Sequence, residues 1–162
     1  MQQLPIGIQT FREIIENNLL YVDKTKEINE LINSGKYYFI SRPRRFGKSL
    51  LISTLAEVFR GNKDLFKGLY IYDKIEWEEY PVIRLDMSNV ISTKDEGSFN
   101  QSILNMLNII GNEYNVRIED PIDYVDAFRK LILLLSKINK VVILIDEYDK
   151  PILDNLTNYE IS

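Results

Sequence analysis

Apolar positions along the chain fall in short runs divided by polar, glycine- or proline-marked breaks, and their spacing changes from run to run. Phe11, Ile14 and Ile15 stand at helical spacing, and Thr10 with Glu13 forms a capping-box pattern in front of them. "LLYVD" reads as extended. Asp23 is then placed to cap a second helix whose apolar face is Ile28, Leu31 and Ile32, ended by Ser34-Gly35. "KYYFI" predicts a buried strand, being too short and too aromatic for an independent helix. Ile52, Leu55, Ala56 and Phe59 return to helical spacing, with a stop at Gly61-Asn62.

"YPVIRLDMS" predicts a second strand, in which Arg84 and Asp86 point to a half-exposed position rather than the centre of a sheet. Phe99, Ile103, Met106, Leu107, Ile110 and Tyr114 predict one face of a long helix. Asp120-Pro121 starts another, with Val125, Phe128, Ile132 and Leu135 inward. The run "VVILI", Val141 to Ile145, is the pattern of a strand covered on both faces. Strands alternating with helices predict an α/β protein with a parallel sheet and crossover helices. No internal repeat or low-complexity tract interrupts the 162 residues, a length that suits one domain.

Composition narrows the chemistry. The chain has no cysteine and no histidine, which excludes thiolate nucleophiles, disulfides, imidazole bases and histidine-bound zinc. What remains is carboxylates, lysine, arginine, hydroxyls, backbone amides and a hard cation such as magnesium. A net charge of −4 argues against a dedicated nucleic-acid binder. No apolar run approaches the roughly 20 residues of a membrane span, and "MQQLPIGIQT" lacks the layout of a secretory signal. The expected location is cytoplasmic, with no membrane partner.

Against that acidic background, "SRPRRFGKSLL" is anomalous. A helix N-terminus leaves amide hydrogens unpaired and favours phosphate, and a preceding glycine lets the ligand approach the backbone. Lysine then reaches the β- and γ-phosphates and the following hydroxyl ligates magnesium. Gly47, Lys48 and Ser49 have that order after an expected strand. The first glycine of the usual phosphate-loop pattern is replaced by Arg42, and Pro43 offers no amide hydrogen. On the string alone, the loop is either a phosphate cradle or a solvated arginine-rich turn.

"VVILIDEYDKP" supplies the complement. Asp146 at the end of an apolar strand suits a magnesium held through its water shell, and Glu147 suits orientation of an attacking water. Alone, such a pair is also common in the turn after a strand. Found about a hundred residues beyond Gly47-Lys48-Ser49, it favours nucleotide binding.

The sequence resembles the AAA-ATPase-like family of bacterial and archaeal P-loop proteins. The motifs that carry the resemblance are "LPIGIQTF", "YVDKT", "SGKYYFISRPRRFGKSLL", "LFKGLYI", "YPVIRLDMS" and "VVILIDEYDKPI", which span the chain. Arginine at position 42 belongs to that family's own pattern. The resemblance implies a P-loop NTPase (AAA-like) α/β fold, with 1–162 as the N-terminal portion of a single domain. That portion comprises a helical extension (1–36), strand, P-loop and helix (37–60), second strand and helices (61–140) and the Walker B strand (141–150). It implies ATP and Mg2+ as ligands. Arg44, Arg45, Phe46, Gly47, Lys48, Ser49 and Leu50 are expected to bind the nucleotide, Ser49 and Asp146 the metal, and Lys48 and Glu147 to serve catalysis. Arg44 and Arg45 are equally placed to be solvated or to pair with Asp149.

Longer members often carry a PD-(D/E)xK nuclease-like domain further along. The sequence ends soon after Walker B, before the strand that normally inserts between the phosphate-loop and Walker B strands and before any sensor or arginine finger. The expectation is an ATP-binding P-loop ATPase-like domain whose hydrolysis is weak or absent without those segments. Its partners would be further copies or the remaining part of the protein. Without the inserted strand, "YYFI" and "VVILI" either pair directly or leave apolar edges open. The alternative readings are a nucleic-acid or partner-binding module with vestigial ATPase motifs, in which Tyr37, Tyr38 and Phe46 stack on bases, and an inactive fragment of a longer ATPase.

Overall fold

A computed structural model describes residues 2–41, 46–90 and 96–150. The chain divides into two compact units, Met1–Glu79 and Tyr80–Ser162.

In the first unit, α1 (Phe11–Glu16), α2 (Thr25–Ser34) and α3 (Lys48–Phe59) are followed by two 3-10 turns, Lys63–Phe66 and Tyr70–Asp73. Helix α1 begins after Thr10 as the pattern predicts, yet Thr10 makes no side-chain cap. The Phe11 amide, at the first helical position, is satisfied by Ser53 Oγ of α3 at 2.9 Å. The Phe11 ring is fully buried. It stacks on Phe66 at 4.7 Å and meets the edge of Tyr21 at 5.0 Å. Trp77 packs on Phe66 at 5.0 Å and donates its indole N–H to the Tyr72 carbonyl at 2.9 Å.

Two polar nodes brace this aromatic core. Glu57, buried on α3, receives Arg12 Nη2 at 2.7 Å and Asn62 Nδ2 at 2.6 Å. The hydrogen bond to Glu57 is the main reason the Arg12 pKa is raised. At the second node Asp23 accepts the Thr25 amide at 2.8 Å and hydroxyl at 2.7 Å, and the Tyr70 amide at 2.8 Å. Helix α2 starts one residue later than a true Asp23 cap requires, with Lys24 at the N-cap. Thr25 Oγ1 accepts the buried Ile71 amide at 3.1 Å and so joins α2 to the second 3-10 turn.

Desolvation pushes the Asp23 pKa up, but the three hydrogen bonds outweigh it and the net shift is downward. A carboxylate with a lowered folded-state pKa contributes stability that is present above the unfolded value and is lost as pH falls through the folded one. Asp23→Asn is therefore expected to destabilise the protein near neutral pH. Its deficit relative to the wild type should shrink on acidification, as read from urea midpoints between pH 7 and pH 3. A deficit that grows toward acid would overturn this account.

In the second unit, β1 (Val82–Asp86) is followed by the 3-10 turn Met87–Asn89, α4 (Glu96–Glu113), α5 (Tyr124–Leu135) and β2 (Val142–Asp146). The strands pair in parallel, with Val82 opposite Val142 and Asp86 opposite Asp146. Ile83 and Leu85 of β1 pack with Ile103, Leu107 and Ile110 of α4 and Ala127, Leu131 and Leu135 of α5. A mixed helix-and-strand architecture with a small parallel sheet is thus observed.

Three expectations require correction. Residues 37–40 form no strand. Tyr37 and Phe39 are 95% and 72% exposed, and the Tyr38 hydroxyl donates to the Leu31 carbonyl at 2.5 Å, tying the segment to the end of α2. An apolar alternating segment becomes a strand only where a ladder receives it, and the described sheet consists of β1 and β2. Second, "VVILI" is not covered on both faces. Ile143 and Ile145 are 42% and 47% exposed, since α4 and α5 pack over β1. Last, α5 starts at Tyr124 rather than at Asp120-Pro121, capped by Asp123, which accepts the Asp126 amide at 2.8 Å. That start turns Ala127, Leu131 and Leu135 inward and leaves Val125 exposed.

Candidate nucleotide site

The phosphate-loop half is built by the start of α3. Gly47 occupies the N-cap with φ +74° and ψ +23°, a left-handed conformation. Nothing lies within 4 Å of the place a Cβ would occupy, so the backbone angle rather than space calls for glycine there. The Leu51 amide closes the first helical bond on the Gly47 carbonyl at 3.0 Å. The amides of Lys48, Ser49 and Leu50 precede that bond and have no intrahelical acceptor. No side chain caps them, and the first turn carries no acidic residue.

Phe46 and Gly47 are exposed, while Lys48, Ser49 and Leu50 are half-buried. Arg44 and Arg45 lie outside the described residues, so their expected roles rest on sequence. Helix α3 is held by its far side through Ser53 Oγ on the Phe11 amide and Glu57 in its ion pair, while Thr54 Oγ1 donates within the helix to the Leu50 carbonyl at 2.8 Å. Tyr21 reaches Thr54 as well, and burial, opposed by that hydrogen bond, raises its phenol pKa.

The acidic half lies at the carboxyl end of β2. Asp146 is 5% exposed, and its Oδ1 accepts the Glu147 amide at 3.0 Å. Asp86 stands directly opposite on β1, on the same face, with its Oδ1 on the Ser88 amide at 2.9 Å. Glu147 has φ +50°. The other described non-glycine residues with positive φ are asparagine or aspartate, which tolerate that region, whereas glutamate does so less readily. Such an outlier next to a buried carboxylate is where backbone strain tends to accompany function.

The structure therefore brings Gly47, Lys48, Ser49 and Leu50 together at one helix end, and Asp146 and Glu147 together at one strand end. The two groups belong to different units. Among the described residues no three acidic side chains form a metal cluster. That does not count against magnesium, which keeps most of its waters and is usually held by one or two carboxylates plus phosphate oxygens. Within the first unit, the Ser49 hydroxyl and three amides without helical acceptors have the donor chemistry for phosphate oxygens; within the second, the buried Asp146 carboxylate has the chemistry for a hard cation. Sequence reasoning missed the braces Ser53, Thr54 and Glu57. Polar residues within the otherwise apolar run of α3 were the signal for them.

No helix among the described residues is long and apolar enough to cross a membrane. The family described as predicted AAA-ATPase matches residues 5–162. An uncharacterized protein in the vnfD 5′ region of Azotobacter chroococcum mcd 1 is 43% identical over 168 residues, which cover 99% of this chain and 32% of that protein. The chain thus spans about a third of the length of the curated relative it matches. No solved structure matches it. With a family match over nearly all of its residues, the chain belongs to the predicted AAA-ATPase family.

Proposed function

We propose that the chain binds ATP with magnesium as part of a P-loop NTPase fold. The observation that carries this reading is the start of α3, where a left-handed Gly47 presents three amides without helical acceptors beside Lys48 and Ser49. A helix of 12 residues adds the favourable end of its dipole. Family membership and the buried Asp146 at the end of β2 support the same reading.

In this reading the amides of Gly47 to Leu50 cradle the phosphates, and Lys48 neutralises the β- and γ-phosphates. Ser49 and Asp146 would hold the magnesium, which when bound draws charge from the phosphate oxygens. Glu147 would orient a water toward the γ-phosphorus. Hydrolysis, in which the water oxygen bonds to that phosphorus, the bond to the β–γ bridging oxygen breaks and a water proton passes to a carboxylate or phosphate oxygen, is expected to be weak or absent in this chain. Arg44 and Arg45 contribute positive charge beside the loop.

Calorimetric titration with Mg-ATP, read together with hydrogen exchange at the amides of Gly47 to Leu50, tests the binding step. Heat with protection confined to that turn is expected. Saturating Mg-ATP that yields neither heat nor slowed exchange would remove the proposal.

One observation favours a second reading, a nucleic-acid-binding module. Tyr37, Phe39 and Phe46 are exposed on either side of the arginine run, as base-stacking residues would be. Fluorescent single-stranded DNA titrated at several salt concentrations distinguishes the two. Tight binding with a steep salt slope and no response to ATP would favour the module.

A further inference from the structure

Helix α4 of the second unit has an outer face unlike those of the other helices. From Gly97 to Asn112 no residue is charged, in a chain of which 27% is charged. Its inner side, with Ile103, Leu107 and Ile110, is buried in the core shared with α5 and β1. On the opposite side Gln101, Asn105, Asn108 and Asn112 are all exposed. They follow one another at steps of four, three and four residues, which aligns them in one stripe along the helix. Ile109, 62% exposed, flanks the stripe on one side and half-buried Leu104 flanks it on the other. Within the stripe Gln101 Nε2 donates to Asn105 Oδ1 at 2.9 Å.

Such a face is unfavourable for a helix that meets only water. Asparagine is a poor helix former, because its short amide competes for backbone groups, and glutamate, lysine or arginine would serve an exposed position better. Exposed positions of α1 and α2 do hold such residues: Glu13, Glu16, Lys26, Glu27 and Glu30. What the stripe gains is complementarity to itself. A carboxamide both donates and accepts, so a row of them can pair with an identical row, whereas a row of like charges repels its own copy. The order of residues is symmetric as well. A two-fold axis crossing α4 between Met106 and Leu107 sets an antiparallel second copy so that Gln101 faces Asn112, Asn105 faces Asn108 and Leu104 faces Ile109. Antiparallel pairing also opposes the two helix dipoles.

We propose that this face of α4 is an interface between two copies of the chain, joined as a two-fold, antiparallel helix pair. The amides form its centre and fix the register by hydrogen bonds across the pair, as buried asparagines do in coiled coils at some cost in stability. The Leu104 and Ile109 contacts, repeated by symmetry on both sides, exclude water from those bonds. Steps of four and three residues suit two helices crossing at about 20° with interlocking side chains. One pair of 18-residue helices is a small interface, at the low end near about 1,200 Å², so the dimer is weak and exchanges readily. The proposal concerns the second unit alone and does not depend on the ATP reading.

Sedimentation equilibrium of the full chain over a range of concentrations tests it, and a monomer–dimer equilibrium is expected. The double variant Asn105→Glu/Asn108→Glu sets like charges against each other across the axis and should raise the dimer Kd about 100-fold or more. Its urea midpoint should hold or rise, because both positions are exposed and glutamate is the better helix former. Asn105→Lys/Asn108→Lys should behave alike, and an equimolar mixture of the two double variants should restore the dimer, a rescue that surface damage does not produce. The chain has no cysteine, so engineered cysteines report the register directly. Gln101→Cys mixed with Asn112→Cys should cross-link on oxidation, and either variant alone should not, since its two copies lie about 16 Å apart along the pair. A wild type that stays monomeric throughout overturns the proposal. So does a dimer that survives the glutamate pair, a mixture that remains monomeric, or Gln101→Cys that cross-links with itself.

Discussion

Lys48→Ala is expected to raise the Kd for Mg-ATP by about a hundredfold while leaving the fold intact. The size follows from the loss of charge-assisted hydrogen bonds to two phosphates, each worth about 1.5–3 kcal/mol, where about 1.4 kcal/mol is tenfold in affinity. The structural side follows from location. Lys48 is the first residue of α3, half-buried, and the buried side of that helix runs from Ser53 to Val58. Alanine is the best helix former, so the first turn should persist. The measurement is a calorimetric titration of both proteins, with far-ultraviolet circular dichroism as the control. Unchanged affinity in a folded variant would mean that the helix end is no phosphate site. Lys48→Arg should recover little, because a longer planar fork does not replace a compact ammonium reaching between phosphates.

Local features were legible in the sequence because local rules govern them. The start of α3 after Gly47 was readable from glycine followed by an apolar repeat, and its end at Gly61 from glycine after the last turn, where φ is +71°. Strand β2 and its terminal Asp146 were readable from an apolar run ended by a carboxylate. What failed depended on distant partners. "KYYFI" has every local property of a strand, but pairing is decided elsewhere, and here the Tyr38 hydroxyl is spent on the Leu31 carbonyl. The open face of β2 was hidden for the same reason, since no periodicity in Val141 to Ile145 says which strand α4 and α5 will cover. The capping box at Thr10 and Glu13 formed a helix start without its side-chain bond, and a distant residue, Ser53 of α3, took the Phe11 amide. For the candidate site, each half could be read from a few consecutive residues.

Phe11→Ala is expected to destabilise the first unit by about 3–5 kcal/mol, the usual loss for a phenylalanine removed from a core. Its ring is fully buried between Phe66 and Tyr21, so truncation leaves a cavity bordered by rigid aromatic groups that cannot collapse into it. A domain is stable by only about 5–15 kcal/mol, so the loss takes a large share. Trp77, the sole tryptophan, packs on Phe66 in the same cluster, so its fluorescence reports this unit rather than the other. The urea midpoint followed at Trp77 should fall steeply, and a midpoint left in place would mean that the Phe11 ring contributes little to the core. Ligand linkage connects this loss to the site. If Mg-ATP binds the end of α3, a concentration about a hundred times Kd should add about 2.7 kcal/mol to the stability of wild type and Phe11→Ala alike. The same ligand should add almost nothing to Lys48→Ala. Core damage and site damage would then separate cleanly: one lowers the midpoint and leaves the ligand increment, the other leaves the midpoint and removes the increment.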